Sequence, residues 1–161
     1  MKKYLVLSFL LSLLLLSACK AKEAPVKEEK PVFRHDGYAE ILAPDGSSKA
    51  KYDIEIATGE REHARGLKFR EEMADNRGML FVFEFIDYHP FWMQDTYLSL
   101  DMLFIDQYDE IIHIERNTPP FSEELISPEA PVKYVLELVA GSADKHNISV
   151  KDKIKWHYKE D

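Results

Sequence analysis

Cysteine is nearly missing from this 161-residue chain: the single one is Cys19, so no disulfide can form within the molecule. A basic surplus is missing as well. With 21 Lys and Arg against 29 Asp and Glu, the formal charge is −8, which excludes a nucleic-acid partner held by phosphate neutralisation. There is no Gly-rich phosphate loop and no Gly-x-Ser-x-Gly elbow, so neither nucleotide cradling nor a marked serine nucleophile is offered. No cofactor is indicated. The chain also lacks an apolar run long enough to span a bilayer. Residues 5–16, apolar except for Ser8 and Ser12, would reach about 18 Å as a helix against a hydrocarbon core of roughly 30 Å. What is present is 45% hydrophobic residues at a length that suits one globular domain.

Lys2 and Lys3 precede the apolar run, and Leu16-Ser17-Ala18-Cys19 closes it. A charged start, an apolar middle and small residues at the exit make residues 1–18 a signal peptide. The closing tetrapeptide resembles the bacterial lipobox, where cleavage falls just before a cysteine that then carries diacylglycerol on its sulfur. An ordinary secretory peptide would leave the placement of the one cysteine to chance. The resemblance makes Cys19 the expected lipid attachment and the membrane its partner. Several acyl chains at about 0.8 kcal/mol per buried methylene hold a protein on a bilayer without a spanning helix. It implies an extracytoplasmic location on the outer face of the cell membrane. In a Gram-negative host the outer membrane is expected, because Lys20 stands where aspartate commonly signals inner-membrane retention. With Cys19 lipidated, no thiol is left for catalysis.

Residues 19–32 contain Pro25 and Pro31, alternating Lys and Glu, and only Val26 and Val32 as large apolar side chains. This is the composition of a tether. Residues 33–161 lose six of the 21 basic and three of the 29 acidic residues to the leader and tether, which leaves a body of charge −11. Such a body repels anionic lipid, so the lipid chains must do the anchoring.

The body reads as mainly β. Tyr52, Ile54 and Ile56 alternate with Lys51, Asp53 and Glu55, as a half-buried strand requires, and Pro44-Asp45-Gly46 supplies the turn from a hairpin partner over 38–42. Further strands are predicted at 78–84, 91–94, 101–105, 110–116, 134–139 and 153–158. Thr58 is a candidate N-cap for a helix over 59–65, with Glu60 and Glu62 in its first turn and Gly66 to end it. A second short helix is predicted over 142–146, with Asn147 as its left-handed stop. Many short strands with turns between them give the expected architecture: a β-sandwich of jelly-roll type with two short helical insertions. Residues 118–131, with four prolines, read as a long loop of the kind that carries function.

Four segments carry a family resemblance: Ala64-Arg65-Gly66-Leu67-Lys68-Phe69-Arg70, Gly78-Met79-Leu80-Phe81-Val82-Phe83, Phe91-Trp92-Met93-Gln94-Asp95-Thr96 with Leu100-Asp101, and Tyr134-Val135-Leu136-Glu137-Leu138. In this order they resemble the domain of unknown function 192 family, small exported or lipid-anchored prokaryotic proteins. The resemblance implies a compact β-sandwich and no particular reaction. The chain departs from the family's usual Lys-Asn pair before the threonine, where it has Gln94-Asp95.

Arg65 and Arg70 are candidate anion-binding groups, since guanidinium forks onto a carboxylate or phosphate. They are equally candidates for a structural ion pair with Asp101 or Glu137, and an unpaired Glu137 in an apolar strand would be costly. Asp95, Asp101 and Glu137 together contain the two carboxylates of a hydrolase acting on an envelope glycan. Trp92 and Tyr97, in the densest aromatic cluster, are candidate contacts for a sugar or a partner surface, although core packing accounts for such rings too. His113 and Glu115 share one side of a strand, but two ligands make no metal site, so no metal is expected. The expected function is a lipid-anchored, non-catalytic binding or accessory module of the cell envelope. The glycan hydrolase and a protein–protein interaction domain acting through residues 118–131 are its rivals.

Overall fold

The computed structural model describes residues 31–160. Cys19, the signal peptide and most of the tether, on which the lipid-anchor expectation falls, lie outside the described residues. Strand β1 (Gly37–Leu42) runs antiparallel to β2 (Ser48–Ala57) across a turn in which Gly46 takes φ 85° and the Asp45 carboxylate accepts from the Ser47 amide. Helix α1 (Glu60–Arg65) leads over to β3 (Arg77–Asp87), which pairs parallel with β2. A parallel pair needs such a crossover, because no tight turn can return the chain to the same end of the sheet. Then follow β4 (Leu100–Ile105), β5 (Ile111–Thr118), β6 (Val132–Val139), α2 (Ser142–Lys145) and β7 (Lys153–Tyr158).

The mainly β class and the two short helices agree with the sequence. The sandwich does not appear: all seven strands belong to one sheet of order β5-β4-β6-β3-β2-β1-β7. The sheet closes on itself. A bridge joins Glu110 to Lys153, and the Ile111 and Ile154 amides donate to the Asp152 and Asp109 carbonyls, so the outer strands β5 and β7 meet. The enclosed face carries one core, to which Ile41, Ile54, Leu80, Leu103, Leu136 and Ile154 contribute. A flat sheet could not bring side chains from both of its edges into one cluster.

A second core lies on the outer face of β3, β4 and β6, where Met79, Phe81, Met102, Phe104 and Val135 are buried. Its cover comes from the connections: Leu67 after α1, Met93 and Leu98 before β4, and Ile126 in the loop before β6. Both faces of these three strands are therefore apolar, which is why their sequences run nearly continuously hydrophobic. Residues 91–94 form no strand. Phe91 makes only an isolated bridge to Ile126, while the Met93 amide donates to the Ser122 carbonyl, so this segment and the loop after β5 clasp each other as a roof. Thr58 does not cap α1. Gly59 holds that position, and the Glu62 carboxylate reaches back to accept from the Thr58 and Gly59 amides.

Candidate functional site

Strand alternation decides which carboxylates can meet. On β6, Leu136 and Leu138 point into the enclosed core, which turns Val135 and Glu137 outward. Glu137 stands in register with Met79 of β3 and Met102 of β4, a carboxyl group between two thioethers. It is 4% exposed, and among the described residues it has no hydrogen-bonding or ionic partner. Burial pushes its pKa up to about 8, so the group is mainly the neutral acid at pH 7.

Above Glu137 opens a cavity of about 180 Å³. One wall is the exit of α1, where His63, Gly66 and Leu67 face it and Arg65 and Lys68 stand at the rim. Gly66 takes φ 47°, and a Cβ there would lie 3.3 Å from the Phe81 ring, so a side chain would push the wall away from β3. The opposite wall is aromatic, from Phe81, Phe83, His89, Phe91 and Trp92. Phe81 and Phe91 meet edge to face at 5.0 Å between centroids, and His89 stacks on Phe83 at 3.6 Å. The two histidines are fixed: Nε2 of His63 donates to the Ala57 carbonyl at 3.0 Å and Nε2 of His89 to the Phe85 carbonyl at 3.1 Å. At the rim, Lys68 Nζ donates to Gln94 Oε1 at 2.9 Å and lies 5.4 Å from the Trp92 ring centre. Arg65 is exposed, and its side chain has no such partner among the described residues.

The sequence candidates separate in space. Arg70 does not pair with Asp101 or Glu137. Its Nη2 lies 2.6 Å from Glu55 Oε1, both residues are buried, and Arg34 approaches the same carboxylate at 3.7 Å. Burial raises the Glu55 pKa in spite of the Arg70 and Arg34 charges that pull it down. Asp101 pairs in register with Leu138, so it points into the enclosed face, away from Glu137, and its carboxylate accepts from the Asn117 and Ala143 amides at 2.9 Å each. Two carboxylates on opposite faces of a sheet cannot flank one glycosidic bond, which removes the hydrolase built on Asp101 and Glu137. Asp95, with φ 55°, stands 3.9 Å from Lys68 at the rim. Trp92 lines the cavity, whereas Tyr97 instead packs its ring on Phe121 at 4.8 Å. Among the described residues no three His, Cys, Asp or Glu side chains group as metal ligands.

Sequence reasoning missed Glu55, whose alternation with Ile54 and Ile56 marks it as solvent-facing, and it missed His63 and His89. Only the connections that cover the outer face reveal them. A wider groove of about 640 Å³ lies by Arg34, Asp36 and Glu62, but Arg34 is already paired with both acids, at 3.1 and 3.0 Å. The unpaired group is under the smaller cavity.

Residues 41–156 match the family model DUF192, described as an uncharacterized ACR. The chain is also similar to a solved structure from Sinorhizobium meliloti 1021, provisionally named a transcription regulator, at 34% identity and TM-score 0.74, covering 78% of this chain and 97% of that one. A protein of unknown function from Novosphingobium aromaticivorans DSM 12444 is similar at 30% identity and TM-score 0.70, over 74% of this chain and 84% of its own. No curated protein matches.

Proposed function

The chain belongs to the domain of unknown function 192 family, and because membership carries no assigned activity, we propose from the site itself that this is a lipid-anchored binding module of the cell envelope, holding a small ligand over Glu137. The observation that carries the reading is the buried carboxyl without a partner beneath an open, aromatic-walled cavity. A protein keeps such a group at a cost of several kcal/mol unless something completes it, and here the missing partner has a place to sit. The surroundings favour binding over turnover: both histidines are committed through Nε2 to backbone carbonyls, and the Thr96 hydroxyl donates to the Gln94 carbonyl at 3.2 Å. No group lining the cavity is arranged as an activated nucleophile. The acidic body argues against carrying over the nucleic-acid role suggested by the relative's provisional name.

The test is a thermal-shift screen of the full chain against cell-wall fragments, oligosaccharides, small carboxylates, amines and zwitterions. A ligand at a hundredfold over its dissociation constant adds about 2.7 kcal/mol, several degrees in melting temperature. The expected result is a shift with at least one class that disappears in Glu137→Gln. A flat screen moves the function to a protein partner. Phe121 and Leu125, 54% and 62% exposed on the loop after β5, support that second reading, under which a partner co-purifies and no small molecule shifts melting.

A further inference from the structure

The chemistry of the cavity narrows the ligand class, an inference that rests on the binding reading above. Among the described residues Glu137 is the only acidic side chain lining the cavity, and it forms the floor. Six of the lining side chains among the described residues carry aromatic rings: His63, Phe81, Phe83, His89, Phe91 and Trp92. Ring faces are negative, so an aromatic enclosure attracts a cation and disfavours an anion. The flanking strands bring Met79 and Met102 to the carboxyl, and no basic group among the described residues is paired with it. Every cation of the site stands at the rim. Lys68 is held there by Gln94 and Trp92, which leaves Arg65 free to take an anionic group. A cation therefore belongs at the bottom and an anion at the mouth. We propose that the cavity receives the ammonium head of a small zwitterion on Glu137, within the aromatic enclosure, and holds its carboxylate or phosphate with Arg65.

The volume agrees with a compact head: an apolar cavity of about 150 Å³ takes a benzene ring, and this one offers about 180 Å³. Binding has a defined proton balance. The Glu137 carboxylic acid gives its proton to the buffer as the ammonium arrives, so the complex contains a carboxylate and a cation where the free protein holds a neutral acid. The other titratable groups facing the cavity are His63, His89, Arg65 and Lys68, and the ligand at the bottom requires none of them to change charge.

The experiment is calorimetry on the full chain near pH 7, in two buffers of different ionisation enthalpy. The probes are glycine betaine, phosphocholine and 4-aminobutyrate, three zwitterions of different span, with tetramethylammonium and inorganic phosphate as single-charge controls. The expected result is that at least one zwitterion binds with release of close to one proton, and that affinity rises about tenfold per pH unit from pH 6 to 7. Glu137→Gln abolishes the proton release and weakens binding at least tenfold. Arg65→Ala weakens the zwitterion at least tenfold but leaves tetramethylammonium unchanged. Failure of all three zwitterions overturns the proposal, as does tighter binding of phosphate alone or unchanged affinity in Glu137→Gln. A melting shift with a carboxylate or neutral glycan in the broader screen, alongside silent zwitterions, overturns this inference and leaves the binding reading standing. Trp92→Ala, at the exposed rim, gives a second variant that does not disturb the floor, and tetramethylammonium binding is expected to weaken in it.

Discussion

Glu55 and Glu137 lie on one cross-strand row of the outer face with Met79 between them, yet they differ in partner. Glu55 has Arg70 at 2.6 Å, and Glu137 has none among the described residues. Removing Arg70 strands a buried carboxylate. Arg70→Ala is expected to lower stability by about 3–5 kcal/mol, read by urea denaturation, and a loss under 1 kcal/mol would mean that Arg34 carries the charge alone. Glu137 acts in the opposite sense. Its folded pKa of about 8 lies above the ordinary glutamate value of 4.5, so between these values the native state binds the extra proton. Stability from this group is complete below pH 4.5 and is lost as pH rises through 8, by up to about 1.4 kcal/mol per unit. Glu137→Gln, a neutral isostere of the acid, should flatten that slope and become the more stable protein above pH 8. The sequence marks Glu137 as a costly carboxylate and leaves Arg70 either an anion-binding group or a structural ion-pair partner of Asp101 or Glu137. It cannot match Arg70 to Glu55, because alternation along β2 makes Glu55 look solvated until residues after α1 cover it.

Elements set the depth of the site. Gly78 lets β3 and β6 approach at the residue next to Met79, and a Cβ there would stand 2.7 Å from the Glu137 carbonyl oxygen and 2.8 Å from Leu138 Cδ2. Gly78→Ala should therefore cost about 1–3 kcal/mol of stability through overpacking. It should also weaken ligand binding more than a substitution of equal cost elsewhere in the sheet. Chemical denaturation with parallel melting shifts checks both, and unchanged stability would contradict the close approach. The strands of period two and both short helices are legible from residue pattern. Residues 91–94 are not: their aromatic run reads as a strand, but its backbone groups are taken by the loop after β5, a pairing across roughly thirty residues that no local signal encodes.

At the scale of the molecule, one sheet closed by the Glu110–Lys153 bridge replaces the expected pair of sheets. Both arrangements need the same short alternating strands, and only long-range pairing of β5 with β7 distinguishes them, so the sequence gives the class without the closure. The body's acidity and the proposed lipid anchor belong to this scale as well. Cys19→Ala should abolish acyl labelling in cells and release the protein from the membrane fraction; retention of the unlabelled variant would contradict the anchor.

The most direct test is to titrate Glu137 itself, by carbon NMR of its side-chain carboxyl in the ligand-free full chain, with Glu137→Gln to assign the signal. A buried acid without a partner, open to a ligand from above, titrates near pH 8. A midpoint near 4.5 would show a carboxylate already satisfied by solvent or by a neighbouring charge. The cavity above it would then have lost its reason to be a binding site.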